Sequence, residues 1–144
     1  MRIELSNVAG LSIRGLMPKS KKAPSNSTLQ GYWRRAVKSV HGNACVICRQ
    51  TPVQCHHAVH RARAILRHDY RNGLPLCAEC HNIADTILGR AEVAKHLDMD
   101  YLSSRERIVF KDWLVQRGMT RAEFLNKQLA TLKEVCENPR EYRS

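Results

Sequence analysis

The sequence has no apolar run long enough to cross a membrane and no signal-peptide pattern at its start. Arg2, Glu4 and Asn7 interrupt the short apolar stretches of the first segment. A membrane-spanning helix needs about 20 consecutive apolar residues, and a signal peptide needs a continuous apolar region of about 7 to 15 residues. We therefore expect a soluble intracellular protein with no membrane partner.

Acidic residues are scarce in the first half of the chain. Residues 1–72 hold 13 basic and two acidic residues, whereas residues 73–144 hold 11 of each, so the first half carries the whole net charge of +11. This asymmetry favours a polyanionic partner, because each phosphate that a basic side chain neutralises releases condensed counterions. We expect a nucleic acid; the alternative is a basic surface that only aids solubility.

Apolar side chains are nearly missing from the segment MPKSKKAPSNST, residues 17–28, which carries two prolines and three lysines. Such a composition is typical of a linker or a basic arm. We therefore divide the chain into a basic N-terminal arm at residues 1–27, a core at 28–98 and a C-terminal helical hairpin at 99–144.

The spacing of apolar residues, together with capping residues and with Gly and Pro at the expected helix ends, predicts that the chain is mostly helical. The predicted helices cover roughly residues 28–42, 77–89, 90–97, 103–118 and 120–139. The last two begin with capping boxes, Ser103 with Glu106 and Thr120 with Glu123. The predicted apolar face of the first of these two is Ile108, Val109, Trp113 and Leu114. We expect the resulting hairpin to brace the core, since an apolar helix face is usually buried.

Two short strands are predicted between the helices. The segment TPVQCHHAV alternates in the manner of a strand, and GLPLC is expected to return beside it, with Pro75 at an edge. The intervening segment HRARAILRHDYRN is rich in arginine and too long for a tight hairpin, so we expect a loop. The predicted fold class is α+β, with the local order strand, loop, strand, helix.

Four of the six cysteines form two C-x-x-C pairs separated by 28 residues. They are Cys45, Cys48, Cys77 and Cys80. In a chain without secretion signals, paired C-x-x-C motifs are typical of a tetrahedral zinc site rather than of disulfides. We therefore expect structural zinc; the alternative is a redox C-x-x-C, which usually occurs singly. Cys55 and Cys136 have no partner at ligand spacing and are expected to be small buried apolar residues.

Between and beside these zinc knuckles lie the histidine doublet His56–His57, then Asn72 just before the second strand, then His81 at the start of a helix. In this order the elements resemble the HNH endonuclease family. That family has a ββα-metal (His-Me finger) motif, which is often stabilised by a zinc ion bound to two C-x-x-C pairs, called zinc knuckles. The resemblance covers residues 45–89 and implies a small zinc-stapled ββα-metal core with flanking helices. The spacing is similar to that in the nuclease domains of DNase colicins.

The resemblance implies a role for each of these residues. His56 is the expected metal ligand and His57 the general base, since neighbouring side chains of a strand point to opposite faces and imidazole titrates near neutral pH. His81 would share the metal, and Asn72 would tie the loop to the second strand through an amide that donates and accepts. The alternatives are that the histidines only pack against the knuckles and that Asn72 is an ordinary turn residue.

Asp85 lies four residues after His81 on the same helical face. The colicin-like pattern has a second helical histidine at this point, so Asp85 is either a third ligand or a surface salt-bridge residue. A carboxylate would favour Mg or Mn as the catalytic ion, whereas imidazoles alone would favour another divalent transition metal.

Basic side chains flank the expected metal site. Guanidinium groups bind phosphate bidentately, and lysines of an arm add affinity without reading sequence. The expected DNA-binding residues are Arg61, Arg63, Arg67 and Arg71 in the loop and Lys19, Lys21 and Lys22 in the arm. The alternative for the arginines is a set of surface salt bridges, although Asp69 is the only nearby acid.

The sequence thus predicts a metal-dependent HNH endonuclease that hydrolyses DNA phosphodiester bonds with a His-activated water. The alternative is a non-catalytic zinc-ribbon DNA-binding protein, or an accessory protein of a phage recombination or packaging complex. The layout resembles stand-alone HNH proteins of temperate phages, including recombination-enhancing nucleases. That resemblance implies the cytoplasm of a bacterial host and a recombination or packaging partner; no oligomeric state is predicted.

Overall fold

The computed structural model describes residues 22–143, which form a mostly helical α+β fold with one small antiparallel sheet. The expected arm residues Lys19 and Lys21 lie outside the described residues. The elements are α1 (Asn26–His41), β1 (Gln54–His57), β2 (Gly73–Leu76), α2 (Ala78–Ile83), α3 (Ile87–Ala94), α4 (Met99–Glu106), α5 (Phe110–Arg117) and α6 (Arg121–Glu137). Within residues 22–143 no helix is both long and apolar enough to span a membrane.

The main apolar core lies between α1 and α6. The Ser25 side chain caps α1, and Gly42 ends it at a φ of 93° that suits glycine. The predicted capping box of Thr120 and Glu123 is confirmed at the start of α6. The buried side chains that join the two helices are Leu29, Trp33, Ala36 and Val37 from α1 and Leu125, Leu132 and Val135 from α6. The hairpin helix α6 therefore packs on α1 rather than on the cysteine-rich core.

The sheet is an antiparallel pair of four-residue strands in which Cys55 faces Pro75 and His56 faces Leu74. Gly73 begins β2 directly beneath α1. A Cβ atom at Gly73 would lie 2.6 Å from side-chain carbons of both Trp33 and Val37. The absence of a side chain at this position therefore allows the sheet to approach α1 closely.

Two smaller clusters complete the interior. Leu74 and Leu76 of β2 pack with the cysteines and with Ala84 and Val93. The loop between the strands is held by a separate cluster of Val59, Ile65, Leu66 and Leu102. The long loop that the sequence predicts is therefore packed against α4.

The helix predicted over residues 77–89 is wrong in its extent, because the chain forms two helices, α2 and α3. The Thr86 hydroxyl accepts from the Gly89 N–H and so caps a new helix start. Gly89 is the third residue of α3 and does not end a helix. A glycine is required there because any Cβ atom would collide with the Ile83 carbonyl.

The capping box predicted at Ser103 and Glu106 is also wrong. Both residues lie within α4, which is capped one turn earlier by the Asp98 side chain. The following helix α5 starts after Val109 without a side-chain cap. Val109 precedes α5 and is 60% exposed, so it is not part of a buried apolar face of that helix.

Replacing Leu132 by alanine should lower the free energy of unfolding by about 2 to 5 kcal/mol, because the side chain is fully buried between α6 and α1. Urea denaturation of the zinc-loaded protein measures the change. Leu88→Ala is the matched control, since Leu88 is 81% exposed, and its effect should stay within about 0.5 kcal/mol. Equal effects of the two substitutions would contradict this account of the core.

Candidate functional site: a cysteine cluster and a histidine groove

The four cysteines of the two C-x-x-C pairs form one cluster that could hold a metal ion such as zinc. Their sulfur atoms all lie within 4.8 Å of one another. Tetrahedral zinc with Zn–S bonds of about 2.3 Å requires sulfurs about 3.8 Å apart, so the cluster fits the ion. Cys45, Cys77 and Cys80 are buried, and only Cys48 is exposed.

Electrostatics within the cysteine cluster favour a bound cation. Burial raises the pKa of Cys45, but backbone hydrogen bonds involving Cys48, Cys77 and Ile47 together outweigh this effect and lower the pKa to about 6. In contrast, burial and the neighbouring thiols raise the pKa of Cys80. Four thiolates this close repel one another, so full deprotonation requires a cation between them.

The histidine doublet lies on β1 with its two rings on opposite sides of the strand. The His56 ring meets His81 of α2 edge-on, with ring centroids 5.0 Å apart. The His57 ring stacks on Trp33 of α1, with centroids 3.9 Å apart and planes within 7°. The alternation of side chains along a strand produces this divergence.

The His57 imidazole is fixed in one tautomer. Its Nε2 atom lies 3.0 Å from the Arg67 carbonyl oxygen, which can only accept, so Nε2 carries the proton and Nδ1 keeps its lone pair. Burial, with smaller contributions from the charges of His56 and Arg61, lowers the His57 pKa to about 4. The ring is therefore neutral near pH 7, with one nitrogen free to accept a proton, but it is a weaker base than the near-neutral imidazole that the sequence predicts.

Asn72 is buried and ties the loop after β1 to the start of β2. Its Oδ1 accepts from the Val59 N–H at 2.6 Å, and its Nδ2 donates to the carbonyls of Val59 at 2.9 Å and Leu66 at 3.1 Å. These three bonds use both halves of the amide. The side chain therefore holds the loop that carries the Arg67 carbonyl.

An open groove of about 730 Å³ runs along β1 and includes His56, His57, His81 and Asp85 in its walls. Burial lowers the pKa of His56 and the charge of His81 lowers it further, while the carboxylate of Asp85 raises it. Within residues 22–143, however, only the four cysteines form a group of three or more possible ligands with all donor atoms within 4.8 Å. The structure thus brings His56 and His81 together and leaves Asp85 at the groove wall.

The predicted DNA-binding arginines separate into two groups. Arg61 borders the groove, and Arg67 borders a second groove next to it. Arg63 is exposed and borders neither. Arg71 points elsewhere, since its Nε lies 3.1 Å from Asp69 and its guanidinium lies 3.8 Å from the ring centre of Tyr101. For Arg71 the salt-bridge alternative is therefore the one that the structure shows. Lys22 is exposed just before α1.

The helix α1 contributes side chains to the groove that the sequence did not predict there. Gln30, Arg34 and Lys38 line it, and Trp33 supports His57 from behind. The four-residue spacing of Gln30, Arg34 and Lys38 was a signal that could have shown a common polar face.

Cys55 also borders the groove. Cys55 and Cys136 are both half-buried, rather than fully buried as expected.

Searches of protein-family models, of curated proteins and of solved structures found no match to the chain.

The purified protein should contain one tightly bound zinc per chain, held by the cysteine cluster. Cys80→Ser should lose the zinc and lower the thermal unfolding midpoint, because a serine hydroxyl is a much poorer zinc ligand than a thiolate. Elemental analysis gives the stoichiometry, and circular dichroism follows unfolding. Cys136→Ser is the control and should keep its zinc, since Cys136 lies in the α1–α6 core. Zinc retained by Cys80→Ser would remove that residue from the ligand set.

His68 should remain neutral well below its usual titration range. Burial, then the charge of Arg67, lowers its pKa to about 4, and its Nε2 has no hydrogen-bond partner within the described chain. The unfolded chain has a histidine pKa of about 6.5. This group's contribution to stability is therefore complete above about pH 6.5 and is lost as the pH falls towards 4.

The ring proton resonances of His68, assigned by comparison with His68→Gln, test this prediction by NMR. Between about pH 7.5 and pH 5.5 they should barely move, because only a few per cent of the ring would be protonated at the lower value. A full titration with a midpoint near 6.5 would show that the ring is accessible to water.

Proposed function

We propose that the protein is a metal-dependent endonuclease of the HNH type that hydrolyses phosphodiester bonds in DNA. The observation that carries this proposal is the divergence of the histidine doublet at one groove. His56 lies against His81 on one side of β1, whereas His57 is locked on the other side with Nδ1 free.

The order of elements supports a ββα-metal core. The strand β1 carries His56 and His57, β2 returns beside it, and the helix α2 that follows carries His81. The cysteine cluster joins the segment before β1 to the start of α2. Asn72 bridges the loop to β2, which is the role that the HNH resemblance assigns to it. On this reading the cysteine cluster is structural and the histidine groove is catalytic.

The reaction assigns a separate task to each side chain. His56 and His81 would hold one divalent cation, Mg or Mn, with Asp85 as the candidate third ligand. Such an ion supplies Lewis-acid stabilisation of charge on the phosphate. His57 accepts the proton of the attacking water at Nδ1, while the Arg67 carbonyl keeps the ring oriented. Arg61, on the groove wall, would stabilise negative charge that builds on the phosphate.

One observation favours the alternative of a zinc-containing DNA-binding or accessory protein without catalysis. His56, His81 and Asp85 do not meet the distance that the cysteines meet. Without Asp85, two imidazoles would leave most of the coordination sphere to water and phosphate and would favour another divalent transition metal over Mg. The divergent histidines and the bonds of Asn72 still favour the endonuclease, and a cleavage assay separates the two.

The zinc-loaded protein should nick supercoiled plasmid in the presence of Mg or Mn and not when neither ion is added. His57→Ala should lower the rate by about 100-fold or more, because general-base catalysis contributes factors of about 10² to 10⁴. Gel electrophoresis of the plasmid over time measures the rate. His96→Ala is the matched control, since His96 is exposed outside the groove.

Three results would decide against the endonuclease. A plasmid that is retarded but never nicked indicates a binding protein. Nicking that His57→Ala does not slow indicates a contaminating nuclease. Metal titration that finds no divalent site beyond the zinc also argues against catalysis, provided that the protein is folded.

A further inference from the structure

The polar face of α1 forms one wall of the histidine groove. Gln30, Arg34 and Lys38 recur every four residues, so they lie on one face of the helix, and all three border the groove. Trp33 and Val37 are fully buried in the core. The helix is therefore fixed by its apolar face, and the row of polar side chains is held towards the groove.

A second groove of about 530 Å³ continues the first. The two share Gln30, Arg34, His60 and Arg61, and the second adds Arg67. Together they form a path past the histidine doublet, with α1 on one side and the loop after β1 on the other. Asp85 is the only acidic side chain among residues 22–143 that borders either groove. The path is therefore strongly positive.

The charges of the α1 wall are not neutralised within the described chain. Neither Arg34 nor Lys38 has a carboxylate of residues 22–143 within salt-bridge distance. Arg71, by contrast, is paired with Asp69. Uncompensated cations along a groove attract a polyanion, and the interaction weakens as salt rises.

We propose that Arg34 and Lys38 bind successive phosphates of one DNA strand and position that strand against the histidine doublet. The two residues are one helical turn apart, a rise of about 6 Å, which is comparable to the spacing of neighbouring phosphates along a strand. Arg61 and Arg67 contact the strand from the opposite wall. The identity of the polymer as DNA rests on the proposed function. Arg34 and Lys38 are positioning residues, since they act on the backbone and not on the reacting atoms.

The test is the double variant Arg34→Gln/Lys38→Gln, with fluorescence anisotropy of a labelled DNA strand at several salt concentrations and with no Mg or Mn added. The slope of log affinity against log salt should become shallower by about 1.4, because each single-strand phosphate contact contributes about 0.7. At about 0.1 M salt the same contacts correspond to an affinity loss of about 25-fold. The charge-preserving variant Arg34→Lys/Lys38→Arg should recover the wild-type slope.

A matched control removes the same charge elsewhere. Arg35 on α1 and Lys133 on α6 lie over the ring of Tyr32, at 4.1 and 5.5 Å from its centre, and outside both grooves. Arg35→Gln/Lys133→Gln should keep the wild-type slope. Zinc content and circular dichroism confirm that each variant is folded.

The outcomes separate this inference from the endonuclease itself. A slope equal to wild type in Arg34→Gln/Lys38→Gln, or an equal loss in the control, would overturn the inference even if the wild type cleaves DNA. A shallower salt slope that is confined to Arg34→Gln/Lys38→Gln supports the inference even if no variant cleaves DNA. In that case only the endonuclease proposal fails.

Discussion

The burial of Trp33 is the constraint on which both the fold and the candidate site depend. Its indole is fully buried in the α1–α6 core, its Nε1 donates to the Asp69 carbonyl at 2.9 Å, and its ring supports His57 at 3.9 Å. Gly73 brings β2 against the same ring. One side chain therefore sets the distance between α1 and the sheet and also the plane of the imidazole, so packing and site geometry cannot vary independently.

The sheet itself is too small to hold this arrangement. Two strands of four residues are marginal in water, and so the hairpin must be held by contacts at both ends. At one end the loop of the first C-x-x-C pair bonds to β2, with the Val46 N–H donating to the Pro75 carbonyl at 3.1 Å. At the other end Asn72 closes the loop on Val59. The floor of the groove is therefore a short strand whose position is fixed by its neighbours.

The sequence predicted those features of the fold that depend on residues close together in the chain. The end of α1 at Gly42, the capping box of α6, the two strands and the doubled C-x-x-C motif all depend on residues close together in the chain, and the structure contains them. The predicted start of α1 near residue 28 is too late, because Ser25 caps the helix. The break between α2 and α3 was missed, because Gly89 resembles a helix end when its close packing on Ile83 is unknown. The pairing of Arg71 with Asp69, two residues away, was open to local reasoning, since Asp69 is the only acid near the loop arginines. Which of the other arginines borders the groove depends on contacts far along the chain, and the sequence does not show it.

The histidine doublet shows how a four-residue strand can present two different environments to one groove. Alternation alone turns His56 and His57 apart, but divergent rings are useful together only if both still border the same space. The groove runs along β1, so it meets both sides of the strand at once. On one side His81 provides a second imidazole, and on the other Trp33 and the Arg67 carbonyl fix a neutral ring. In the proposed endonuclease a metal ligand and a proton acceptor would therefore need no separate segments, because one strand between two unlike helices would supply both.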